Sequence, residues 1–295
     1  MIIVKLEGGH SNQLFQYAAG RRLADKLGVE LFMDKWWFEN VVDLDSPRFY
    51  ELGEYKLKQK FISRKDFALV ENKPDNLRAK IYTLTKGKNK PRIKNYRYTL
   101  HDFDKKFLAQ PDNTYLDGWW QNERYFKKIR PTLLEEVELK TGATGKNAQW
   151  LKQIKETNSV SIHIRRGDYV TNKQTNKIHG VTSLDYYNRA LDTLAKKSGK
   201  KEFTLFIFSN DMPWCQKNLK FKYPTIFVDG KNSGPEDMRL MKNCQHNIMA
   251  NSTFSWWGAW LNQNPNKIII APKAWFNDKV ENSQVDILPS EWIRL

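Results

Sequence analysis

Residues 161–170, SIHIRRGDYV, combine side chains that could hold and neutralise a diphosphate. Their apolar alternation predicts a strand whose carboxyl end carries His163, Arg165 and Arg166, at the edge where α/β proteins bind ligands. Guanidinium groups match phosphate oxygens bidentately and stay charged, so both arginines could neutralise the charge that grows on a departing diphosphate. Asp168 could fix an arginine or cap the next helix. A structural ion pair between Arg165 and Asp168 explains the same residues.

Two further loops have the composition of phosphate-binding turns. The first, residues 8–12, has glycines that let backbone amides approach an anion, and Gly9 and Asn12 are its candidate ligands. The second, residues 251–255, places small hydroxyl side chains where a helix begins. Its candidate ligands are Ser252, Thr253 and Ser255. Ser252 and Ser255 fit equally well as simple helix N-caps.

Three ordered blocks carry a resemblance to a known family. Residues 163–169, HIRRGDY, resemble the His-x-Arg-Arg-Gly-Asp-Tyr signature of the α1,2-fucosyltransferases of glycosyltransferase family eleven. Residues 8–18, GGHSNQLFQYA, are similar to that family's opening block, although His10 and Ser11 replace its Leu and Gly. Residues 246–261, HNIMANSTFSWWGAWL, match a third block almost residue for residue. Residues from about 35 to 110 match little of the family.

The resemblance implies a GT-B fold, with two Rossmann-like domains facing across a cleft. It implies inverting transfer of L-fucose from GDP-β-L-fucose to the 2-hydroxyl of a terminal galactose, in a surface polysaccharide unit or a lactose-type acceptor. We expect an acceptor-side domain over residues 1–145 and a GDP-fucose-binding domain over residues 146–295. A fucosyltransferase of α1,6 or O-linked specificity shares the arginine pair but is not expected to share the third block.

The resemblance also suggests roles for single residues. Asp229, after a predicted strand, is the candidate partner of the guanine edge, and His163 is a candidate for guanine or ribose. A general base must accept the acceptor's proton, and the candidates are Glu7, Asp168 and Asp117. The segment 117–126 resembles the family's Gly-Tyr-Trp-Gln-Ser-Glu block, and its candidate acceptor ligands are Trp119, Trp120 and Gln121. The same aromatics could instead pack a hinge between the domains.

The elements that must position these residues alternate between strand and helix along the chain. A strand over residues 2–6, a helix over 12–27 and a strand over 29–34 open it, and Gly28 fits the helix end. The second half repeats the alternation, with strands predicted over residues 160–164, 204–208, 225–228, 246–250 and 267–271. Thr182 and Asp185 offer a capping box for a helix that Gly199 ends. This order predicts parallel, doubly wound sheets, with a linker over residues 142–147.

Charge and composition limit the class of partner. The chain of 295 residues has a formal net charge of +16, and residues 55–106 hold 16 Lys+Arg against 5 Asp+Glu. This basic segment could be a solvated loop, or could bind an anionic membrane surface or a lipid-linked acceptor. We find no nucleic-acid-binding module, so a basic nucleic-acid-binding protein is a much weaker alternative. Without an apolar run of spanning length, we expect a cytoplasmic protein, peripheral at most at the inner face of the membrane.

Neither a metal nor another cofactor is expected, because the arginine pair can replace a cation. The carboxylate pairs at residues 43–45 and 102–104 resemble a metal-binding Asp-x-Asp, but neither lies in the three blocks. Cys215 and Cys244 lack metal-ligand spacing and are expected to be structural thiols. The tryptophans of residues 256–260 are expected to pack the core, although Trp257 could line the cleft.

Overall fold

The computed structural model describes residues 1–40, 48–70, 92–99, 102–229, 231–278, 282 and 285–295. The chain divides into two compact units, residues 1–138 and residues 139–295. The expected boundary lay between residues 145 and 146. Across the described ranges, no helix combines the length and apolarity needed to cross a bilayer. Residues 71–91, the centre of the basic segment, and the carboxylate pair at 43–45 lie outside the described residues.

Unit 1 is built on a parallel sheet of four strands in the order β2-β1-β4-β3. The strands are β1 (Ile2–Lys5), β2 (Leu31–Asp34), β3 (Lys94–Tyr98) and β4 (Thr114–Gly118). The helices are α1 (His10–Leu27), α2 (Trp37–Asn40), α3 (Arg64–Phe67) and α4 (Arg130–Glu136). Short 3-10 turns cover Phe107–Ala109, Glu123–Tyr125 and Lys127–Ile129.

Helix α1 packs closely against one face of this sheet. A Cβ at Gly20 would lie 2.9 Å from Leu31 Cδ1 and 3.1 Å from Val4 Cβ, so glycine permits the approach. Gly28 ends the helix in the left-handed conformation at φ 66°, as its position predicts. A separate apolar cluster includes Ile3 and Tyr115 of the sheet. Apolar side chains on both sides of the strands therefore hold the carboxyl ends of β1 and β4 in place.

Unit 2 is built on a parallel sheet of six strands in the order β10-β9-β8-β5-β6-β7. The strands are β5 (Ser159–Ile164), β6 (Thr204–Ser209), β7 (Thr225–Phe227), β8 (His246–Ile248), β9 (Ile269–Ala271) and β10 (Ile293–Arg294). The first helices are α5 (Gly145–Glu156), α6 (Gly167–Thr171), α7 (Lys173–His179) and α8 (Leu184–Ser198). The remaining helices are α9 (Met212–Asn218), α10 (Gly234–Asn243) and α11 (Thr253–Trp260).

Alternating side chains of β6 enter two different cores. Leu205 and Ile207 join the cluster that contains α8, while Phe206 and Phe208 join the cluster of α5 and α10. Both faces of the sheet are thus covered, which is the doubly wound arrangement. The predicted α/β class, with parallel sheets, is confirmed.

Several local expectations are confirmed and one shifts by a residue. The five strands predicted in the second half are all present, although three are shorter than expected. Ser183, rather than Thr182, caps α8 by accepting from the Tyr186 N–H at 3.2 Å. Cys215 and Cys244 are free and buried, as expected of structural thiols. The tryptophans of α11 pack the core, as expected, and Trp257 is fully buried, so it does not line a cleft.

Candidate functional site

The carboxyl edge of the unit 2 sheet has a topological switch point between β5 and β8. From β5 the chain proceeds outward through β6 and β7, whereas β8, β9 and β10 extend the sheet on the other side. The connections after β5 and β8 therefore leave the sheet in opposite directions, and such a switch point is where open α/β sheets bind ligands. Two of the three sequence blocks, residues 163–169 and 246–261, meet at this edge through the pairing of β5 with β8.

His163 is a buried, neutral imidazole at this switch point. Its side chain is 4% exposed, and burial, helped by the charge of Arg165, lowers its pKa to about 3. Its ring lies 5.5 Å from the ring of Phe254, and its Nδ1 has no hydrogen-bond partner within the described part of the chain. Buried polar atoms are nearly always paired, so an orphaned nitrogen here suggests a ligand contact.

Arg165 extends from the strand end toward an aromatic stack. Its guanidinium carbon lies 5.1 Å from the ring centre of Tyr169, which stacks on His179 at 4.9 Å and 8°. The Tyr169 hydroxyl donates to the Asn251 carbonyl at 3.3 Å. Rings on α6 and α7, two short helices absent from the sequence prediction, therefore position this cation beside His163.

Arg166 has different partners, contributed by residues after β6. Its Nε lies 3.3 Å from Asp211 Oδ2, and its guanidinium lies 3.7 Å from the ring centre of Trp214. Its backbone N–H donates to Asn210 Oδ1 at 3.0 Å. The adjacent arginines therefore do not form one equivalent pair, since Arg166 fastens the motif to the next strand. Asn210 and Asp211 were missed, although polar residues directly after the predicted strand 204–208 were a usable signal.

The loop after β8 uses its hydroxyl side chains largely to build itself. Ser252 caps α11 by accepting from the Phe254 N–H at 3.3 Å, which is the simpler of the two sequence readings. The Ser255 hydroxyl donates to the Ala250 carbonyl at 3.2 Å, and the residue is 1% exposed. In this conformation its side chain is committed to the backbone. Thr253, half-buried, lies in the first helical turn.

Asn251 connects this loop to three other segments. Its amide donates to the carbonyls of His179 at 2.7 Å and Trp275 at 3.2 Å, and its oxygen accepts from the Thr182 hydroxyl at 3.1 Å. Asn251 is 4% exposed, so these bonds are shielded from water. The sequence pattern gives Asn251 no role within the third block, and its contacts show that it fixes the β8 side of the switch point.

Asp229 follows β7 at the same edge of the unit 2 sheet. Its Oδ2 lies 3.2 Å from Lys146 Nζ, and its side chain is 40% exposed. Burial raises the pKa of nearby Asp237 to about 7, and the charges of Asp229 and Glu236 add to this, against a hydrogen bond from Asn232. The carboxylate edge after β7 is therefore crowded with acidic groups. The side chain of Asp168, within α6, lies outside the described residues.

Unit 1 has its own switch point, between β1 and β4. Gly8 adopts φ +74°, a conformation that favours glycine. A Cβ there would also lie 2.8 Å from Asn12 Nδ2 and 3.4 Å from the Trp119 ring, so a larger residue would clash as well. Gly9 is the N-cap residue of α1. Gln121 Nε2 donates to Asn12 Oδ1 at 3.0 Å. The structure thus gathers the glycine turn, Trp119 and Gln121 in one place.

Arg48 also lies at this turn, although no sequence motif points to it. A Cβ on Gly9 would lie 3.6 Å from Arg48 Nη1, so the guanidinium covers the glycine. The buried Gln13 fastens the two segments, donating to the carbonyls of Gly8 at 3.1 Å and Phe49 at 2.8 Å. Arg48 lies in the part of the chain that resembles the family least, so no motif could identify it.

Trp120 is a core residue, which corrects its assignment to the acceptor site. It is 2% exposed and lies 4.8 Å from Phe107 and 5.5 Å from Tyr125, measured between ring centres. A fully enclosed indole has no face to offer a sugar. Aromatic spacing alone could not separate it from its neighbour Trp119, which is half-buried at the glycine turn.

Glu7 and Asp117 lie together at the carboxyl edge of unit 1. Lys5 Nζ lies 2.5 Å from Glu7 Oε2 and 3.0 Å from Asp117 Oδ1. Burial opposes charge on Lys5, but the hydrogen bonds and charges of both carboxylates outweigh it and raise the Lys5 pKa. Two of the three base candidates therefore share one cation. Asp102 and Asp104 instead bond the hydroxyls of Tyr98 and Tyr96, and the described residues contain no cluster of three metal-ligating side chains.

The chain is similar in sequence and fold to known glycosyltransferases. The model of a family described as Glycosyl transferase family 11 matches residues 50–295. An Escherichia coli protein named alpha-1,2-colitosyltransferase is 31% identical over 304 residues, covering 100% of this chain and 99% of that protein. Galactoside alpha-(1,2)-fucosyltransferase 2 of Pongo pygmaeus is 27% identical over 180 residues, 58% of this chain and 52% of that protein. A crystal structure of POFUT1 in complex with GDP has a similar fold, with a TM-score of 0.50 and 11% sequence identity. The match covers 92% of this chain and 97% of that chain.

Proposed function

The chain belongs to glycosyl transferase family 11, and we propose that it moves L-fucose from GDP-β-L-fucose to the 2-hydroxyl of a terminal galactose, with inversion. The observation that carries the proposal is the unit 2 switch point, where Arg165 follows buried His163, whose Nδ1 has no partner among the described residues and whose ring lies 5.5 Å from Phe254 of α11. A cation, a neutral ring and the amino end of a helix are features that bind a sugar diphosphate.

Arg165 has the main electrostatic role in this proposal. As the glycosidic bond breaks, negative charge accumulates on the diphosphate, and a preorganised guanidinium stabilises that charge more than it stabilises the intact donor. His163 remains neutral at working pH because of its lowered pKa, so it contributes a directed hydrogen bond. Arg166, paired with Asp211, acts by holding the motif. Thr253 offers the first helical N–H of α11, while Ser252, whose own N–H donates to the Ala250 carbonyl at 2.8 Å, and Ser255 shape the loop that presents it.

Recognition of the nucleotide base is assigned to the edge after β7. A carboxylate can accept from both donors on the Watson–Crick edge of guanine, and Asp229 is partly exposed there. The proposal therefore needs the Lys146 ammonium to release Asp229 when GDP binds, which is inexpensive because exposed ion pairs contribute little stability.

In this proposal, unit 1 binds the acceptor sugar and removes the proton from its hydroxyl. Glu7 is the proposed general base, with Asp117 and Asp168 as alternatives, and Trp119 and Gln121 are the proposed sugar contacts. Gly9 and Asn12, at the start of α1, are proposed to contact the donor phosphates through the glycine turn. We propose a polysaccharide repeat unit or lactose-type sugar as acceptor, with residues 55–106 attracting an anionic membrane surface or lipid carrier on the cytoplasmic side.

Transfer of colitose is a second candidate function, favoured by the alpha-1,2-colitosyltransferase that matches the whole chain. Colitose differs from fucose by the loss of one ring hydroxyl. The diphosphate chemistry assigned to Arg165 serves either donor, so the two candidates differ only in the sugar pocket.

Competing donors separate these candidates. Purified protein would be incubated with a galactose-terminated disaccharide and an equimolar mixture of GDP-fucose and GDP-colitose, in EDTA, and products resolved by mass. A fucosylated product in excess supports the main proposal, and a colitosylated product in excess supports the second. We expect activity to persist in EDTA because a fixed guanidinium supplies the charge that a metal would otherwise supply. Absence of both transfer and GDP binding would overturn the proposed function.

A further inference from the structure

Lys5 is the last residue of β1, the central strand that leads into the glycine turn. Its ammonium lies between Glu7 and Asp117, at 2.5 and 3.0 Å. The three side chains are only 24%, 13% and 17% exposed, so the cluster is largely withdrawn from water. The Glu7 N–H donates to Gln16 Oε1 at 3.0 Å, which fixes the backbone that carries the carboxylate.

One ammonium shared between two carboxylates leaves the cluster with a net negative charge. Among the described residues, charged or titratable groups near the cluster include Tyr115, which donates to the Asp34 carboxylate at 2.6 Å, Asp34 itself, and Arg97, 3.9 Å from Asp117 and 72% exposed. Without a central cation, the two carboxylates would repel each other, and each would hold a proton more tightly. Among these neighbours, Lys5 is the close, partly buried cation.

We propose that Lys5 is a positioning residue that keeps Glu7 ionised and aimed as the general base, an inference that rests on the proposed function. In the step it serves, the acceptor oxygen bonds to the anomeric carbon while the bond from that carbon to the diphosphate oxygen breaks. The electron pair leaves with GDP, and the acceptor's hydroxyl proton passes to Glu7. Lys5 contacts neither sugar, and it acts through the carboxylate.

The pH dependence of kcat/KM tests this role. In Lys5→Met the base should bind its proton more tightly, so the acid limb should move to higher pH by about one unit or more. Lys5→Arg, which keeps a cation, should return most of the shift. Arg97→Met is the matched control, because it removes the exposed cation near Asp117 and should move the limb little.

Double variants identify which carboxylate is served. Lys5→Met with Asp117→Asn removes both the cation and the competing carboxylate, so the acid limb should return toward that of the unmodified protein. Lys5→Met with Glu7→Gln should be inactive at every pH. Recovery of activity in that second combination, but not the first, would overturn the assignment of Lys5 to Glu7.

Further measurements distinguish loss of the proposed role of Lys5 from loss of folding or of activity. Thermal unfolding and GDP affinity of each variant show whether it is folded, and Lys5→Gln serves as a second charge-removing variant should Lys5→Met unfold. An acid limb that stays in place in a folded Lys5→Met or Lys5→Gln protein that still turns over would overturn the inference alone. An unmodified protein that binds GDP but transfers no sugar to any acceptor would point to failure of the proposed function instead.

Discussion

Gly167 and Asn210 offer a double-mutant test of how the arginine motif is held. A Cβ on Gly167 would lie 2.9 Å from Asn210 Cγ and closer still to its amide nitrogen. The Gly167 backbone is outside the left-handed region, so alanine meets no backbone strain there. The Asn210 oxygen accepts the Arg166 N–H at 3.0 Å. Gly167→Ala must therefore displace the amide and break that bond.

The expected magnitudes follow from these contacts. Asn210→Ala removes the hydrogen bond to the Arg166 N–H and should lower the free energy of unfolding by about 1 kcal/mol. Gly167→Ala loses the same bond and adds overpacking, for a total of about 2 to 3 kcal/mol. In the double variant the clash disappears and the bond is lost only once, so the cost should remain about 1 kcal/mol. The coupling between the two sites is then about 2 kcal/mol or more.

Urea unfolding followed by tryptophan fluorescence would measure these differences, and kcat/KM would report whether Arg165 is displaced. Gly199→Ala is the matched control. Gly199 has φ +65° and open space around its Cβ, so alanine there strains the backbone without reaching Asn210. Its cost should add to that of Asn210→Ala. Additive costs for Gly167→Ala and Asn210→Ala would refute the account of the motif.

Three other predictions concern chemistry and charge. Arg165→Lys should lower kcat by about 100-fold or more because a point charge replaces a bidentate fork, and steady-state kinetics with near-normal turnover would contradict this. Asp229→Asn should weaken GDP binding in calorimetry much more than binding of inorganic pyrophosphate, and equal losses would place this carboxylate away from the base. Burial lowers the pKa of His163 and His10 from 6.5 to about 3, so only the unfolded chain binds these protons between those values. The free energy of unfolding should therefore fall as pH decreases from 6.5 toward 3, and a flat urea-unfolding series over that range would contradict the burial of both rings.

The strands that could be predicted are those with a clear local hydrophobic pattern. Residues 159–164 alternate between polar and apolar side chains, residues 204–209 form an apolar run that ends in Ser209, and both strands lie where the pattern places them. Strands β3 and β4 were missed because KNYRY and TYLDG carry charged and polar residues. Their extended form depends on pairing with each other and with β1, which no local pattern records.

The sequence predicted which segments contribute to the candidate site, but it could not predict the role of each residue within them. Adjacent arginines look equivalent in sequence, yet Arg166 contacts Asp211 and Trp214, whereas Arg165 lies over the ring of Tyr169. Neighbouring tryptophans likewise look equivalent, yet Trp120 is enclosed by side chains from β3 and from the turn at 107–109. Such distinctions arise from contacts between distant parts of the chain, which spacing cannot reveal.

The most direct test of the central claim is the structure of the reaction product. Purified protein, GDP-fucose and a galactose-terminated disaccharide would be incubated, and the trisaccharide analysed by NMR for linkage position and anomeric configuration. The account predicts α-L-fucose on the 2-hydroxyl of galactose, with loss of product in Arg165→Ala. A fucose attached at another position or with the β configuration would contradict the proposed function, as would undiminished product from Arg165→Ala.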